Sequence, residues 1–246
     1  MDDKLTAALK YLRLPGLLAH WDEYLHLAQK GRYSHTRLLQ HIIMEEHKLK
    51  LDYARQLRIQ QAQLPEHLVL ETFPFQRQPK LNRQRIMSLY DSFEYMTKQQ
   101  NILWVGRTGT GKTGLATGFL LQALERGYKG KYVLFSDLVT ELFQAVADHS
   151  QARVFKRYLS YDCLLIDEIG YADIEPIQAS LFFTLMQKRH KKKTNLITSN
   201  MGFGEWQKFL KNEQLTVALI DRLTENSHVI NMKDCESLRT KLEPGS

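Results

Sequence analysis

A glycine-rich segment at residues 106–113 has the composition and spacing of a phosphate-binding loop. It reads Gly-Arg-Thr-Gly-Thr-Gly-Lys-Thr and matches the pattern G-x-x-x-x-G-K-[ST] at every fixed position. Glycines allow backbone N–H groups to approach a triphosphate closely, and a helix that begins at such a loop adds a favourable dipole. We therefore predict that ATP is bound by Gly106, Arg107, Thr108, Gly109, Thr110, Gly111, Lys112, Thr113 and Gly114.

Four side chains could act directly on the phosphates. Lys112 is expected to reach the β- and γ-phosphates, and the Thr113 hydroxyl to ligate Mg²⁺. The apolar run 163–166 ends in Asp167 and Glu168, at the carboxyl end of a predicted strand, where the sites of parallel sheets form. We expect Asp167 to hold the magnesium ion through its water shell and Glu168 to polarise the attacking water. Two acids after a strand commonly mark only a turn, but the preceding phosphate loop favours the catalytic interpretation.

A third apolar run also ends in a polar residue. Residues 196–200 read Leu-Ile-Thr-Ser-Asn, and Asn200 could hydrogen-bond the γ-phosphate or the attacking water. Asparagine after a strand is otherwise an ordinary turn former, so this role depends on the two motifs before it.

The elements that must position these residues are indicated by hydrophobic patterning. Strand-like apolar runs occur at 101–105, 132–135, 163–166 and 195–198. Helical segments separate them, and this alternation predicts an α/β fold with a parallel sheet covered on both faces.

The rest of the chain has a different pattern. Residues 1–64 carry apolar residues at helical spacing and no strand signal, which predicts a small all-helical N-terminal domain. Three prolines mark 65–79 as a linker. We therefore expect the catalytic domain at 80–241 and a tail without periodicity at 242–246.

Composition bounds the location and the partners. The 34 lysines and arginines exceed the 27 acids, and the net charge of +7 favours an acidic partner such as nucleic acid, although an ordinary solvated surface fits equally well. The two cysteines, Cys163 and Cys235, are too few for a disulfide framework and fit a reducing cytosol. We find neither a leader nor an apolar run of membrane-spanning length, so we expect a cytoplasmic protein without a membrane partner.

Several motifs together resemble one protein family. They are the loop 106–113, Leu-Leu-Ile-Asp-Glu-Ile-Gly-Tyr at 164–171, Thr-Ser-Asn at 198–200, Leu-Ile-Asp-Arg-Leu at 219–223 and Leu-Arg-Leu-Pro-Gly at 12–16. Nearly the whole chain resembles AAA+ ATPases of the DnaC and IstB group, and most closely the IstB members, which are transposition helpers of insertion sequences. The resemblance implies the three-layer AAA+ P-loop fold and hydrolysis of ATP.

The resemblance also implies roles for individual residues. Asn200 would be the sensor-one residue, and Arg222 the arginine finger that enters the nucleotide site of a neighbouring subunit. An ion pair of Arg222 with Asp221 or Glu225 is the local alternative. Only 24 residues follow Arg222, too few for the helical lid that many AAA+ proteins carry, which puts a second sensor arginine in doubt. Arg239 resembles the arginine of the family's Ser-Tyr-Arg ending, with leucine in place of tyrosine.

Basic residues in two regions are candidates for contact with DNA. The resemblance places Arg153, Lys156 and Arg157 at the central channel of the assembly. A second set lies on the N-terminal helices: Lys48, Arg55 and Arg58. A third basic run occupies 188–193, of which Lys191 to Lys193 are better explained as a solvated helix end.

The favoured hypothesis is a homo-oligomer, a ring or spiral that ATP assembles on double-stranded DNA and that assists a transposase of the same insertion sequence. The main alternative is a DnaC-type loader of a replicative helicase, which shares every motif of the core. Two other classes are disfavoured by Glu168. A small-molecule kinase has little use for this carboxylate, and a module that binds ATP without hydrolysing it does not need the carboxylate.

Overall fold

The computed structural model describes residues 1–31, 34–66, 68–171 and 173–239. It contains two compact units, Met1–Leu57 and Arg58–Ser246, which we call the first and second units. The predicted domain limits 1–64, 65–79 and 80–241 stay a prediction, and the predicted tail 242–246 lies outside the described residues. No helix within the described ranges has the length and apolar character needed to cross a membrane.

The first unit is helical. Its helices are α1 (Asp3–Tyr11), α2 (Pro15–Ala19), α3 (Trp21–Gln29) and most of α4 (His35–Ala62), whose last residues belong to the second unit. Asp2 caps α1, because its carboxylate accepts a hydrogen bond from the Leu5 backbone N–H at 2.6 Å. Gly16 lies against α4: a Cβ at this position would be 2.6 Å from the Leu49 side chain.

The second unit is a parallel sheet between two layers of helices. Its strands are β1 (Asn101–Gly106), β2 (Gly130–Leu134), β3 (Cys163–Ile169), β4 (Thr194–Ser199) and β5 (Ser227–Met232). They lie in the order β2-β3-β4-β1-β5, and every neighbouring pair is parallel.

The helices of the second unit follow in chain order. They are α5 (Arg83–Ser92), α6 (Glu94–Thr97), α7 (Lys112–Glu125), α8 (Phe135–Ala147), α9 (Gln151–Leu159), α10 (Pro176–Arg189), α11 (Phe203–Leu210) and α12 (Glu213–Thr224). Two short 3₁₀ helices, Leu70–Thr72 and Phe75–Arg77, precede α5.

Each sheet face has its own hydrophobic core. Ile102 and Trp104 of β1 pack with α5, α6 and α7, whereas Leu103 between them packs with α8 to α12. Successive strand residues point to opposite faces, so a strand buried on both sides must be apolar throughout. The predicted α/β fold, a parallel sheet covered by helices on both faces, is confirmed.

Two details of the strand prediction are wrong. Phe135 was predicted at the end of a strand but begins α8, where its ring packs 5.1 Å from the ring of Phe182. The strand β5 was not predicted at all, because His228 and Asn231 interrupt the apolar run in this edge strand.

Candidate functional site

The phosphate-loop residues border a cavity of about 380 Å³ at the carboxyl end of the sheet. The strand β1 ends at Gly106 and α7 begins at Lys112, so the loop occupies the strand-to-helix turn that phosphate binding requires. The loop residues that line the cavity are Thr108, Gly109, Gly111, Lys112, Thr113 and Gly114.

Two loop positions admit only glycine. Gly109 and Gly111 have φ of +82° and +92°, a conformation that costs other residues free energy. A Cβ on Gly109 would stand 2.5 Å from the Ser237 hydroxyl, and one on Gly111 would stand 2.7 Å from the Phe73 ring. The loop therefore keeps its backbone open towards the cavity, as the cradle of a triphosphate must.

Lys112 is fixed inside the loop. Its ammonium group donates hydrogen bonds to the carbonyl oxygens of Gly106 at 2.8 Å and Arg107 at 2.7 Å. Burial lowers the pKa of Lys112, against the opposing effect of Asp167 and Glu168. A partly desolvated ammonium group at this place fits the negative charge of phosphate.

Asp167 is the best-connected carboxylate of the site. It is only 2% exposed and accepts hydrogen bonds from the Thr113 hydroxyl at 3.0 and 3.1 Å. The Tyr132 hydroxyl donates to it at 3.1 Å, and the Thr198 hydroxyl also donates to it. Burial and the Asp167 charge raise the pKa of Tyr132 well above its usual range, so the phenol remains a donor. Because oxygen groups are the donors that Mg²⁺ prefers, Thr113 and Asp167 fit this ion.

Glu168 differs from its neighbour in both exposure and backbone. It is exposed, lines the cavity and has φ of +64°. The pairing of β3 with β4 shifts register between Ile166 and Ile169, and the Glu168 N–H donates to the Thr198 hydroxyl at 3.0 Å instead. This bulge directs the two adjacent acids into different environments, one buried and one open to the cavity.

Asn200 borders the same cavity just beyond β4. Its buried side-chain oxygen has no hydrogen-bond partner among the described residues. A buried amide with an unmet hydrogen bond costs free energy, so its presence beside the phosphate loop fits a site that a ligand completes.

Two segments outside the motifs of the phosphate loop and the strands also line the cavity. One contributes Glu66, Leu68, Phe73 and Pro74, and the other contributes Leu238 and Arg239. The buried Gln78 side chain joins these segments to the loop: its amide donates to the carbonyls of Thr110 at 3.2 Å and Glu236 at 2.6 Å. No sequence motif indicated these contacts, and only the similarity of the Ser-Leu-Arg ending to the family pointed to Arg239.

Comparison with known proteins identifies the family. The family model for IstB-like ATP binding proteins matches residues 7–244. The chain belongs to this family. It is 29% identical over 241 residues to a protein of Geobacillus stearothermophilus named as an ATP-binding protein of insertion sequence IS5376, covering 98% of this chain and 95% of the relative. It is also 29% identical over 238 residues to the corresponding IS21 protein of Pseudomonas aeruginosa, covering 97% and 89%.

Solved structures support the same fold. AMPPCP-bound DnaA from Aquifex aeolicus aligns with a TM-score of 0.57 at 21% identity, covering 70% of this chain and 51% of DnaA. The DnaC helicase loader aligns with a TM-score of 0.52 at 19% identity, covering 61% of this chain and 87% of DnaC. The predicted resemblance to the DnaC and IstB group is thereby confirmed, as an IstB-like ATP-binding protein with the AAA+ fold.

Arg222 does not line the cavity of its own chain. It lies on α12, where its guanidinium group donates to the Ala218 carbonyl at 2.9 Å and stands 4.9 Å from the centroid of the Phe183 ring. The predicted alternative, an ion pair with Asp221 or Glu225, is absent from the described contacts, and Glu225 pairs with Lys191 and His190 instead.

The six DNA candidates occupy different environments. Lys48 and Arg55 are in the first unit and are exposed, as are Arg153 and Lys156 on α9. Arg157 is paired with Glu141. The Arg58 guanidinium group donates to the Leu124 carbonyl at 3.1 Å. Their contact with DNA stays a prediction.

Proposed function

We propose that this chain is a Mg²⁺-dependent ATPase that oligomerises on double-stranded DNA in the cytoplasm and assists the transposase of an insertion sequence. The observation that carries the ATPase part is the convergence of Lys112, Asp167, Glu168 and Asn200 around one phosphate loop. An ATP-binding module without hydrolysis has no need of a cavity-facing carboxylate such as Glu168.

The geometry supports a division of labour among these residues. Lys112 and the loop amides would hold the β- and γ-phosphates, while Thr113 and Asp167 would hold the metal. Bound Mg²⁺ supplies charge neutralisation as the γ-phosphate leaves. Glu168 is free to accept a proton from the attacking water, because its carboxylate faces the cavity rather than the Asp167 cluster. The Asn200 amide would orient that water or the γ-phosphate.

Arg222 would act in the site of a neighbouring subunit. It is half-buried on α12 and lies outside its own cavity, as an arginine supplied in trans must. Such an arginine stabilises transition-state charge and makes hydrolysis depend on assembly. The position of Arg222 outside its own cavity supports the ring or spiral predicted from the family resemblance. Arg239 borders the cavity of its own chain and would be the candidate for the second sensor role.

The insertion-sequence names of the relatives support the transposition part. A DnaC-type helicase loader remains the alternative, supported by the DnaC fold similarity. Sequence-independent contacts of Arg153, Lys156, Arg157, Lys48, Arg55 and Arg58 with phosphates would serve either function. Co-purification with a transposase or with a replicative helicase distinguishes the two.

Phosphate release with and without duplex DNA tests the proposal. Glu168→Gln should retain ATP binding and lower turnover at least about 100-fold, the contribution of a general base. Glu213→Gln, an exposed glutamate outside the cavity, should leave turnover unchanged. Turnover by Glu168→Gln at the unchanged rate refutes hydrolysis through Glu168, and the absence of any stimulation by DNA refutes the DNA-linked function.

A further inference from the structure

A second cleft, of about 490 Å³, follows the free edge of the sheet. The strand β2 is an edge strand, and the cleft lies between its beginning and the end of α4, within the second unit. Three cations line it, namely Arg58, Lys129 and Lys131, together with three glutamines and Tyr161. None of the described residues that line this cleft is acidic. We call it the β2-edge cleft.

The three cations have neutral partners. Arg58 donates to the Leu124 carbonyl. The Lys129 ammonium group donates to the Ser160 hydroxyl at 3.0 Å and lies 5.1 Å from the centroid of the Tyr161 ring. The Lys131 ammonium group donates to the carbonyl of Gln61 at 3.3 Å and to the side-chain oxygen of Gln63. These contacts satisfy hydrogen-bond donors without adding a negative charge to the cleft.

Two acids close to the cleft, Glu141 and Asp162, are paired with cations that do not line it. Glu141 pairs with Arg157 and accepts from the Tyr158 hydroxyl at 2.6 Å. Asp162 pairs with Lys193 at 2.6 Å and otherwise accepts from the Lys129 backbone N–H. Glu141 offsets part of the Lys131 charge, but its ion-pair partner is Arg157, so the cleft keeps a net positive charge.

Lys131 is partly buried. Desolvation and the nearby Arg157 lower its pKa, against the opposing effect of Glu141. A partly desolvated cation is stabilised when a further anion arrives, because the Coulomb interaction is stronger where water is scarce.

We propose that the β2-edge cleft binds the sugar–phosphate backbone of DNA, with Arg58, Lys129 and Lys131 as the phosphate contacts. The inference rests on the proposed DNA-binding function and adds two residues to it, Lys129 and Lys131. Both lysines line the cleft: Lys129 directly precedes β2 and Lys131 lies within it. Glutamine amides beside them are common donors to phosphate oxygens, and the cleft offers no acid that would repel a polyanion.

The salt dependence of DNA binding tests this proposal. The full-length chain, its double variant Lys129→Gln/Lys131→Gln and a matched control, Lys188→Gln/Lys208→Gln, are titrated with a fluorescent duplex over a series of KCl concentrations. The control removes two exposed lysines that do not line the cleft. Each lost phosphate contact should reduce the slope of log K against log salt by about 1, so the double variant should lose about 2 and bind more weakly on every sequence.

The outcomes separate the two proposals. Equal affinity and slope for wild type and the cleft variant overturn the cleft assignment while DNA binding by the chain stands. Absence of DNA binding by the wild type overturns both. A fluorescent poly-glutamate peptide tests for a different class of partner. If this peptide binds the wild type, we expect duplex DNA to displace it. Binding of the peptide that is lost in the cleft variant but is not competed by DNA would assign the cleft to an acidic protein and overturn the proposal. Unchanged ATP affinity shows that the variant is folded, and the single variant Lys129→Gln carries the test if the double variant does not fold.

Discussion

Replacing Thr198 by valine removes one hydroxyl that serves both acids of the nucleotide site. This buried hydroxyl donates to Asp167 and accepts from the Glu168 backbone N–H at 3.0 Å. Valine has nearly the same shape, so packing is preserved while both hydrogen bonds are lost. Thr198→Ser is the matched control, because it keeps the hydroxyl and removes only a methyl group.

The size of the effect follows from the two lost contacts. A hydrogen bond to a charged group contributes about 1.5–3 kcal/mol, and an amide left without an acceptor costs about 1–3 kcal/mol when buried. The Glu168 N–H contact is only partly buried, so we expect the free energy of unfolding to fall by about 3 kcal/mol. For a unit of this size, that corresponds to a decrease in Tm of about 6–12 °C. The serine variant should lose about 1 kcal/mol for its methyl group.

Thermal unfolding and phosphate release measure the two consequences. Because the hydroxyl orients the carboxylate that we propose to hold the metal, its loss should lower turnover about 10- to 100-fold. The reasoning is refuted if Thr198→Val unfolds at the same temperature as Thr198→Ser and releases phosphate at the wild-type rate. Such a result would mean that the other donors to Asp167 are sufficient to hold it.

Three further predictions address separate parts of the second unit. Gly111→Ala should weaken ATP binding at least about tenfold, because alanine is strained at this φ and its methyl group would contact a neighbouring ring. The control Gly127→Ala, at φ +95° with open space around it, should keep the wild-type affinity. Equal affinities of the two variants in a nucleotide titration would contradict this prediction. Mg²⁺ should increase the affinity for ATP about tenfold less in Tyr132→Phe than in the wild type, while the affinity without metal stays unchanged. Tyr161→Phe is the control. An undiminished effect of Mg²⁺ in Tyr132→Phe would contradict the role of Tyr132 in positioning Asp167. Burial lowers the pKa of His228, so the unfolded chain takes up the proton first and stability should fall as the pH drops through about 6.5. This loss should be smaller in His228→Gln, and parallel stability curves for the two proteins between pH 8 and pH 5.5 would exclude it.

The core of the fold could be predicted because it follows from local pattern. Strands buried on both faces read as unbroken apolar runs, and β1, β3 and β4 were found in this way. The sequence does not predict β5, because an edge strand has a neighbouring strand on one side only and accepts polar residues such as His228 and Asn231.

In the candidate site too, the sequence predicts one group of residues and not another. Lys112, Asp167, Glu168 and Asn200 converge because each follows or ends a neighbouring parallel strand, a relation that the sequence contains. The supporting contacts depend on partners that are distant in sequence.

Supporting residues carried no local signal. Tyr132 reaches Asp167 across 35 positions, and Gln78 reaches Thr110 across 32. Charge patterning has the same limit: Arg189 lies in a basic run but is fully buried, where its guanidinium group donates to the carbonyls of Tyr158 and Thr194. Whether a cation binds a partner or a carbonyl is decided by packing, which the composition of a run does not reveal.

The arrangement of hydroxyls around Asp167 links nucleotide chemistry to the alignment of the sheet. The three donors come from three different elements: Thr113 from α7, Tyr132 from β2 and Thr198 from β4. A shift of any one element would therefore change the orientation of the carboxylate before it broke the fold. The strand β2 forms the sheet edge at which we propose DNA to bind, and it also carries the Tyr132 hydroxyl that donates to Asp167. If both proposals hold, Tyr132→Phe should weaken the stimulation of ATP hydrolysis by DNA more than it weakens DNA binding.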